Sequence, residues 1–160
     1  MLIRAAEPED WPVLWAIIGP TIAAGETYAL DRTMREAEAR AYWLGSDRET
    51  FVAEDDGRVV GTYYLRANQP GGGGHVCNCG YMTSAAATGR GVARRMAEHS
   101  LHRARERGFR AMRFNFVAST NIRAIGLWQR LGFEIVGRLP RAFDHPTDGP
   151  VDALVMYQLL

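Results

Sequence analysis

A chain of 160 residues that is 47% hydrophobic and 23% charged has the composition of one globular domain with a buried core, which excludes wholesale disorder and fibrous repeats. With 19 basic against 18 acidic side chains the net charge is +1, so no basic surplus argues for nucleic acid or an anionic membrane surface. No run approaches the roughly 20 apolar residues of a membrane span, and Met1 to Glu7 lacks the basic start and apolar run of a signal peptide, so the expected location is the cytoplasm.

In chain order, Leu2 to Ala5 is a short apolar strand. Pro8, flanked by Glu7, Glu9 and Asp10, opens a helix, because the first turn needs no N–H and its positive end suits acids. Trp11, Leu14, Trp15, Ile18 and Ile22 recur at three- and four-residue steps and make one apolar face, which Gly19-Pro20 is expected to kink or interrupt. Gly25-Glu26-Thr27-Tyr28 is a predicted loop. Thr33-Met34-Arg35-Glu36 has the form of a capping box and begins a second helix that ends about Leu44-Gly45. Thr50–Glu54 and Val59–Leu65 alternate as strands joined by the hairpin turn Asp55-Asp56-Gly57-Arg58. Pro70 and Gly71 to Gly74 are expected to form no regular element, leaving a mobile loop that is either a lid or a slack connection.

The next strand, Val76–Thr83, carries Cys77 and Cys79 on one face, too few for a disulfide framework. His75 beside them gives no fourth metal ligand, so both cysteines are assigned to the core and no metal is expected. The turn Thr88-Gly89-Arg90-Gly91-Val92-Ala93 then runs straight into a helix from near Gly91 to about Arg107. Such a turn leaves backbone N–H groups unpaired in one concavity at the positive helix end, an anion site, although glycines also serve ordinary tight turns. A nucleotide P-loop would need Gly-Lys-Ser or Gly-Lys-Thr here, and Arg90-Gly91-Val92 excludes it.

Ala111–Val117 is a strand in which Asn115 is opposed in direction to Phe114 and Phe116. A buried amide needs partners, either at a bulge or loop or in a ligand cleft. Asn121 begins a helix through Ala124, Ile125, Trp128 and Leu131 to Gly132-Phe133. Strands Glu134–Leu139 and Val151–Tyr157 close the chain, joined by a proline-containing loop with Phe143 and His145.

This order of elements, with two motifs in it, resembles the GCN5-related N-acetyltransferases over nearly the full length. The family's acetyl-CoA turn is Gln or Arg, two variable residues, Gly, one variable residue, then Gly or Ala; Thr88 departs from its first position, and the glycines of Thr88 to Ala93 keep the backbone cradle. More specific is Asn121-Ile122-Arg123-Ala124-Ile125-Gly126-Leu127-Trp128-Gln129-Arg130-Leu131-Gly132-Phe133, similar to the family's Asn-x-x-Ala-x-x-Leu-Tyr-x-x-x-Gly-Phe. The resemblance implies an α/β (α+β) fold spanning 1–160, a mixed, mostly antiparallel twisted sheet of about seven strands flanked by about four helices. It implies acetyl-CoA as cofactor, direct attack of an amine on the thioester, and a homodimer as a plausible assembly.

By the same resemblance Asn121 contacts the cofactor arm, and Trp128 stands where many members place a tyrosine acid, a role that an indole cannot fill. Asn78, Asn115 and Asn121 together resemble a narrower subgroup, the yeast acetyltransferase of proline analogues such as azetidine-2-carboxylate. There Asn115 would touch the substrate or reacting carbonyl and Asn78 would support the site.

The expected chemistry follows. Backbone N–H groups of Gly89 to Ala93 hold the pyrophosphate, with Thr88 at the weakest position of the cofactor turn, and a backbone N–H near Tyr81, Met82 and Thr83, with the amide N–H of Asn115, polarises the thioester oxygen. Glu26 or His145 serves as base, and Tyr28, Phe143 and His145 shape the acceptor pocket. A small-molecule amine is the expected acceptor. A protein N-terminus or lysine is the enzymatic alternative, and an acyl-CoA-binding sensor the non-enzymatic one.

Overall fold

The strands β1 (Leu2–Ala5), β2 (Arg48–Asp55), β3 (Arg58–Ala67), β4 (Val76–Thr83), β5 (Ala111–Ala118), β6 (Glu134–His145) and β7 (Gly149–Leu159) form one sheet in the order β1-β2-β3-β4-β5-β7-β6. The computed structural model describes residues 1–160. All neighbours are antiparallel except β4 and β5. Four helices complete the fold: α1 (Trp11–Ala24), α2 (Glu36–Trp43), α3 (Val92–Glu106) and α4 (Ile122–Arg130).

Strand alternation divides the core between the two sheet faces. Leu14, Ile18 and Ile22 of α1 and Trp43 of α2 pack on Val52, Tyr64 and Met82. On the other face Val92, Met96 and Leu101 of α3 and Trp128 of α4 pack on Phe51, Tyr63, Leu65, Cys77 and Phe114. Both cysteines are buried on the α3 face, where burial pushes the Cys77 thiol up to about 12, so they behave as core side chains. The β2–β3 hairpin turns through Asp56 and Gly57, both at positive φ (49° and 71°), the backbone that a two-residue hairpin demands.

Four local expectations are corrected. Helix α1 continues through Gly19 and Pro20 to Ala24, because its buried face from Trp11 to Ile22 spans the proline and packing outweighs one missing hydrogen bond. Helix α2 starts at Glu36 rather than Thr33. Asp31 accepts from the Thr33 N–H (2.8 Å) and hydroxyl (2.7 Å), which holds Thr33 in a turn; Glu38 then accepts from the Arg35 N–H (2.8 Å) at the true helix start. Glu36 instead accepts from the Trp11 indole (2.9 Å) and ties α2 to α1. The glycine run contains one 3-10 turn, Gly71–Gly73, closed by the Gly74 N–H on the Gly71 carbonyl (2.9 Å).

The fourth correction places Phe143 and His145 on a strand rather than in a loop. β6 runs through Pro140 to His145, with register shifts at Ile135/Gly137 and Leu139/Phe143. It is an edge strand, where a proline removes no necessary ladder bond.

Two irregularities open the middle of the sheet. β4 and β5 pair only at Val76↔Ala111 and Cys77↔Met112, after which they diverge into a fork. On the far side of β5, the pairing with β7 steps from Phe114↔Met156 to Val117↔Leu154, so Asn115 and Phe116 form a bulge, an irregularity that simple alternation does not anticipate.

Candidate active site

The fork holds a cleft of about 1430 Å³, bounded by β4 from Asn78, the bulge of β5, the glycine turn, α4, and side chains from α1, α2 and β3. One end of it is the turn before α3. Gly89 (φ 81°) and Gly91 (φ 77°) occupy the left-handed region, which costs other residues roughly 1–2 kcal/mol. A Cβ on either would meet nothing within 4 Å, so the space above the turn is open. The N–H groups of Thr88 and Arg90 are spent on the carbonyls of Ala85 and Ala87 (3.2 Å each). Those of Gly89, Gly91, Val92, Ala93 and Arg94 find no acceptor in the protein and stand at the positive end of a 15-residue helix. This cradle fits a pyrophosphate. The Arg90 side chain is not part of it, because its guanidinium pairs with Asp55.

The apex of the fork is held by Asn78, 7% exposed, whose amide donates to the Arg113 carbonyl (2.9 Å) where the strands part. Ser84 donates its N–H to Val60 on β3, so the antiparallel alternation turns the N–H groups of Gly80 and Met82 toward β3 and those of Tyr81 and Thr83 into the fork. Tyr28 marks the same side, since its hydroxyl donates to the Tyr81 carbonyl (2.8 Å). Burial raises the pKa of that hydroxyl and keeps it a protonated donor.

Asn115 differs from expectation. Its amide N–H donates to the Asn68 side-chain carbonyl (2.7 Å), while its own Oδ1 is buried without a partner. One of the two amide N–H groups expected to polarise the thioester is therefore occupied, and the residue offers an unpaired acceptor besides. Asn121 caps α4 through Oδ1, which accepts from the Ala124 N–H (3.4 Å), and its amide nitrogen donates to nothing in the protein. Trp128 forms a cleft wall, with its ring 5.0 Å from Tyr81 and 4.9 Å from Phe114. Met82, Thr83, Thr88, Val92 and Ala93 line the same cleft.

Besides Arg90, three predicted residues are not brought to it. Glu26 is exposed and lies outside the cleft, although its neighbours Thr27 and Tyr28 line it. Phe143 is buried behind Phe116, with ring centroids 6.0 Å apart. His145 organises the β6–β7 turn through Thr147 Oγ1 (3.1 Å) and Asp148 (3.3 Å). No aspartate, glutamate or histidine lines the cleft, whose only ionic side chains are Arg66, Arg94, Arg123 and Arg130. Tyr42, Tyr64, Arg66 and Asn68 were not anticipated. The available signal was in β3, where Thr62, Tyr64 and Arg66 put polar groups on one face by simple alternation.

Comparison with known proteins agrees with this geometry. Residues 13–133 match the acetyltransferase (GNAT) family. The N-acetyltransferase aca1 of Schizosaccharomyces pombe is 32% identical over 132 residues, 72% of this chain; the match spans 63% of that relative's length. A GCN5-related N-acetyltransferase from Kribbella flavida superposes with a TM-score of 0.95 at 42% identity, covering 99% of this chain and 97% of that one. A ribosomal-protein-alanine N-acetyltransferase from Brucella melitensis superposes with a TM-score of 0.88 at 26% identity, covering 100% of each. The family match, the forked sheet and the free N–H cradle lead to one conclusion: the chain belongs to the GNAT acetyltransferase family, whose co-substrate is acetyl-CoA.

Proposed function

We propose that this chain transfers the acetyl group of acetyl-CoA to the amine of a small metabolite, by direct attack of the neutral amine on the thioester. The observation that carries the reading is the shared cleft: five free N–H groups at one end and the inward N–H groups of Tyr81 and Thr83 in the fork. The first set fixes the cofactor by its pyrophosphate. The second donates to the thioester oxygen as charge develops there, a contribution of about 3 kcal/mol per donor. The acceptor end is walled by Tyr28, Tyr42, Tyr64 and Arg66, which favours a small molecule over an extended chain.

The leaving thiol has a pKa of about 8.5 and departs as thiolate, so the indole of Trp128 in place of a phenol is tolerated. With neither carboxylate nor imidazole in the cleft, the amine's proton leaves to water. Asn115 Oδ1, an unpartnered acceptor in the cleft wall, suits an incoming amine N–H, since such an orphan costs about 1–3 kcal/mol until it is paired. Asn78, Asn115 and Asn121 all line this cleft, which supports the proline-analogue subgroup as a source of acceptors.

The name of the Brucella relative favours a second acceptor, the N-terminal alanine of a protein. Thiol release from acetyl-CoA separates the readings, measured with small amines, amino acids and imino acids in one arm and alanine-terminated peptides in the other. Release with the small acceptors supports the proposal, and release with peptides alone replaces it. Tight acetyl-CoA binding without release in either arm indicates a sensor.

A further inference from the structure

We propose that Arg66 anchors a carboxylate on the acceptor, so that the cleft takes amino and imino acids in preference to simple amines. The inference rests on the small-amine reading above and names its substrate class.

Sheet register sets Arg48, Arg66 and Asn78 side by side on β2, β3 and β4, a polar row that ends at the apex of the fork. Arg48 and Arg66 share one counter-ion: Asp47 accepts from Arg48 Nε (2.8 Å) and from Arg66 Nη1 (3.1 Å). Two guanidinium groups on one carboxylate leave a surplus positive charge. Arg48 does not present that charge to the cleft, because its side chain is 6% exposed and lies over the rings of Tyr42 and Tyr64 (4.9 and 4.7 Å). Arg66 does line the cleft, with its side chain 30% exposed.

The unused donors of Arg66 have a definite shape. Its Nε is buried without an acceptor, and Nη2 donates to nothing in the protein. Those two N–H groups form one edge of the guanidinium, which matches the two oxygens of a carboxylate; Nη2 is the donor open to a ligand as the side chain stands, and the buried Nε joins it when the side chain turns outward. No acidic side chain lines the cleft to satisfy them. The other cleft arginines do not compete for this role, since Arg94, Arg123 and Arg130 belong to α3 and α4, on the cofactor side of the sheet. Arg66 is the register partner of Asn78 at the apex of the fork, and its side chain lines the same cleft as Tyr81 and Thr83, so an acceptor held by its guanidinium shares that cleft with their inward N–H groups.

The test uses matched acceptors, azetidine-2-carboxylate with its primary amide and alanine with alaninamide, compared at equal concentrations of neutral amine. In the wild type, kcat/KM for the acids should exceed that for the amides by about 10- to 100-fold, the value of a charge-assisted pair. Arg66→Met should bring the ratio close to one, chiefly through the KM of the acids, and Arg66→Lys should restore part of it. An unchanged acetyl-CoA Kd in both variants shows that the fold is intact. Equal use of acids and amides by the wild type, or a ratio that survives Arg66→Met, overturns the anchor and leaves the small-amine reading standing. Turnover of peptide N-termini alone, or of nothing, overturns both.

Discussion

Gly91 and Gly108 stand at opposite ends of α3 with nearly the same backbone, φ 77° and 78°, and a Cβ on either would meet nothing within 4 Å. Alanine at each position therefore carries the same penalty, about 1 kcal/mol of left-handed strain, which should lower Tm by about 2–4 °C in a chain of this size. Only Gly91 borders the cleft, so only there does the added methyl enter the space above the free N–H groups. Displacing a phosphate from one charge-assisted hydrogen bond costs about 1.5–3 kcal/mol, so Gly91→Ala should weaken acetyl-CoA binding by about 10- to 150-fold. Gly108→Ala should leave the affinity unchanged. Calorimetric titration with acetyl-CoA, beside thermal melts of both variants, separates strain from recognition. Wild-type affinity in Gly91→Ala would refute the cradle. An equal loss in Gly108→Ala would show that the effect is one of stability alone.

Other consequences are testable with the same protein. If water takes the amine's proton, kcat/KM should rise about tenfold per pH unit up to the acceptor's own pKa, with no enzyme group inflecting the profile between pH 5 and 8; an inflection that Glu26→Gln or His145→Ala removes would restore a side-chain base. Glu26→Gln should keep turnover within about twofold, since surface changes away from the site have small effects, whereas His145→Ala should lower Tm through the β6–β7 turn without lowering kcat/KM. Asn115→Ala should depress turnover by about tenfold while the acetyl-CoA Kd stays unchanged, and equal loss of both would move the residue to the cofactor side. Arg48 holds the Asp47 carboxyl at about 2, below its ordinary value, so this pair stabilises the fold above about pH 4 and loses its effect as pH falls toward 2. Melts of Asp47→Asn should run below the wild type at pH 6, and that gap should close at low pH.

The half of the candidate site proposed for acetyl-CoA is legible in the sequence because it is local. Gly89, Gly91 and the helix that follows form one unbroken stretch, and the Asn121 to Phe133 motif is another. The acceptor half is legible only in part: Tyr28 and Asn78 are named, but Tyr42 of α2 and Tyr64 and Arg66 of β3 reach them only through helix packing and the register of β3 with β4. The sequence places the start of helix α2 too early, because an Asx turn at Asp31 uses the same residue types as a cap. β6 extends beyond its sequence-based end before Pro140, because a proline argues against a strand except at a sheet edge, and edge position is a property of the whole sheet. The bulge at Asn115 has no local signature, since only pairing with β7 shows that Asn115 and Phe116 together oppose one residue.

The sparse pairing of β4 with β5 also divides the sheet into two halves, β1–β4 and β5–β7, joined by two ladder pairs, the Arg110 N–H on the His75 carbonyl, the Asn78 clamp and the shared core under α3. Any ligand seated in the fork touches both halves and acts as a strut between them. Acetyl-CoA should then slow amide hydrogen exchange at Cys79–Thr83 and at Asn115–Val117 together, although more than thirty residues separate the two segments, because one opening motion exposes both. The gap proposed to admit acetyl-CoA is also the stretch of the sheet where no ladder bond joins its two halves.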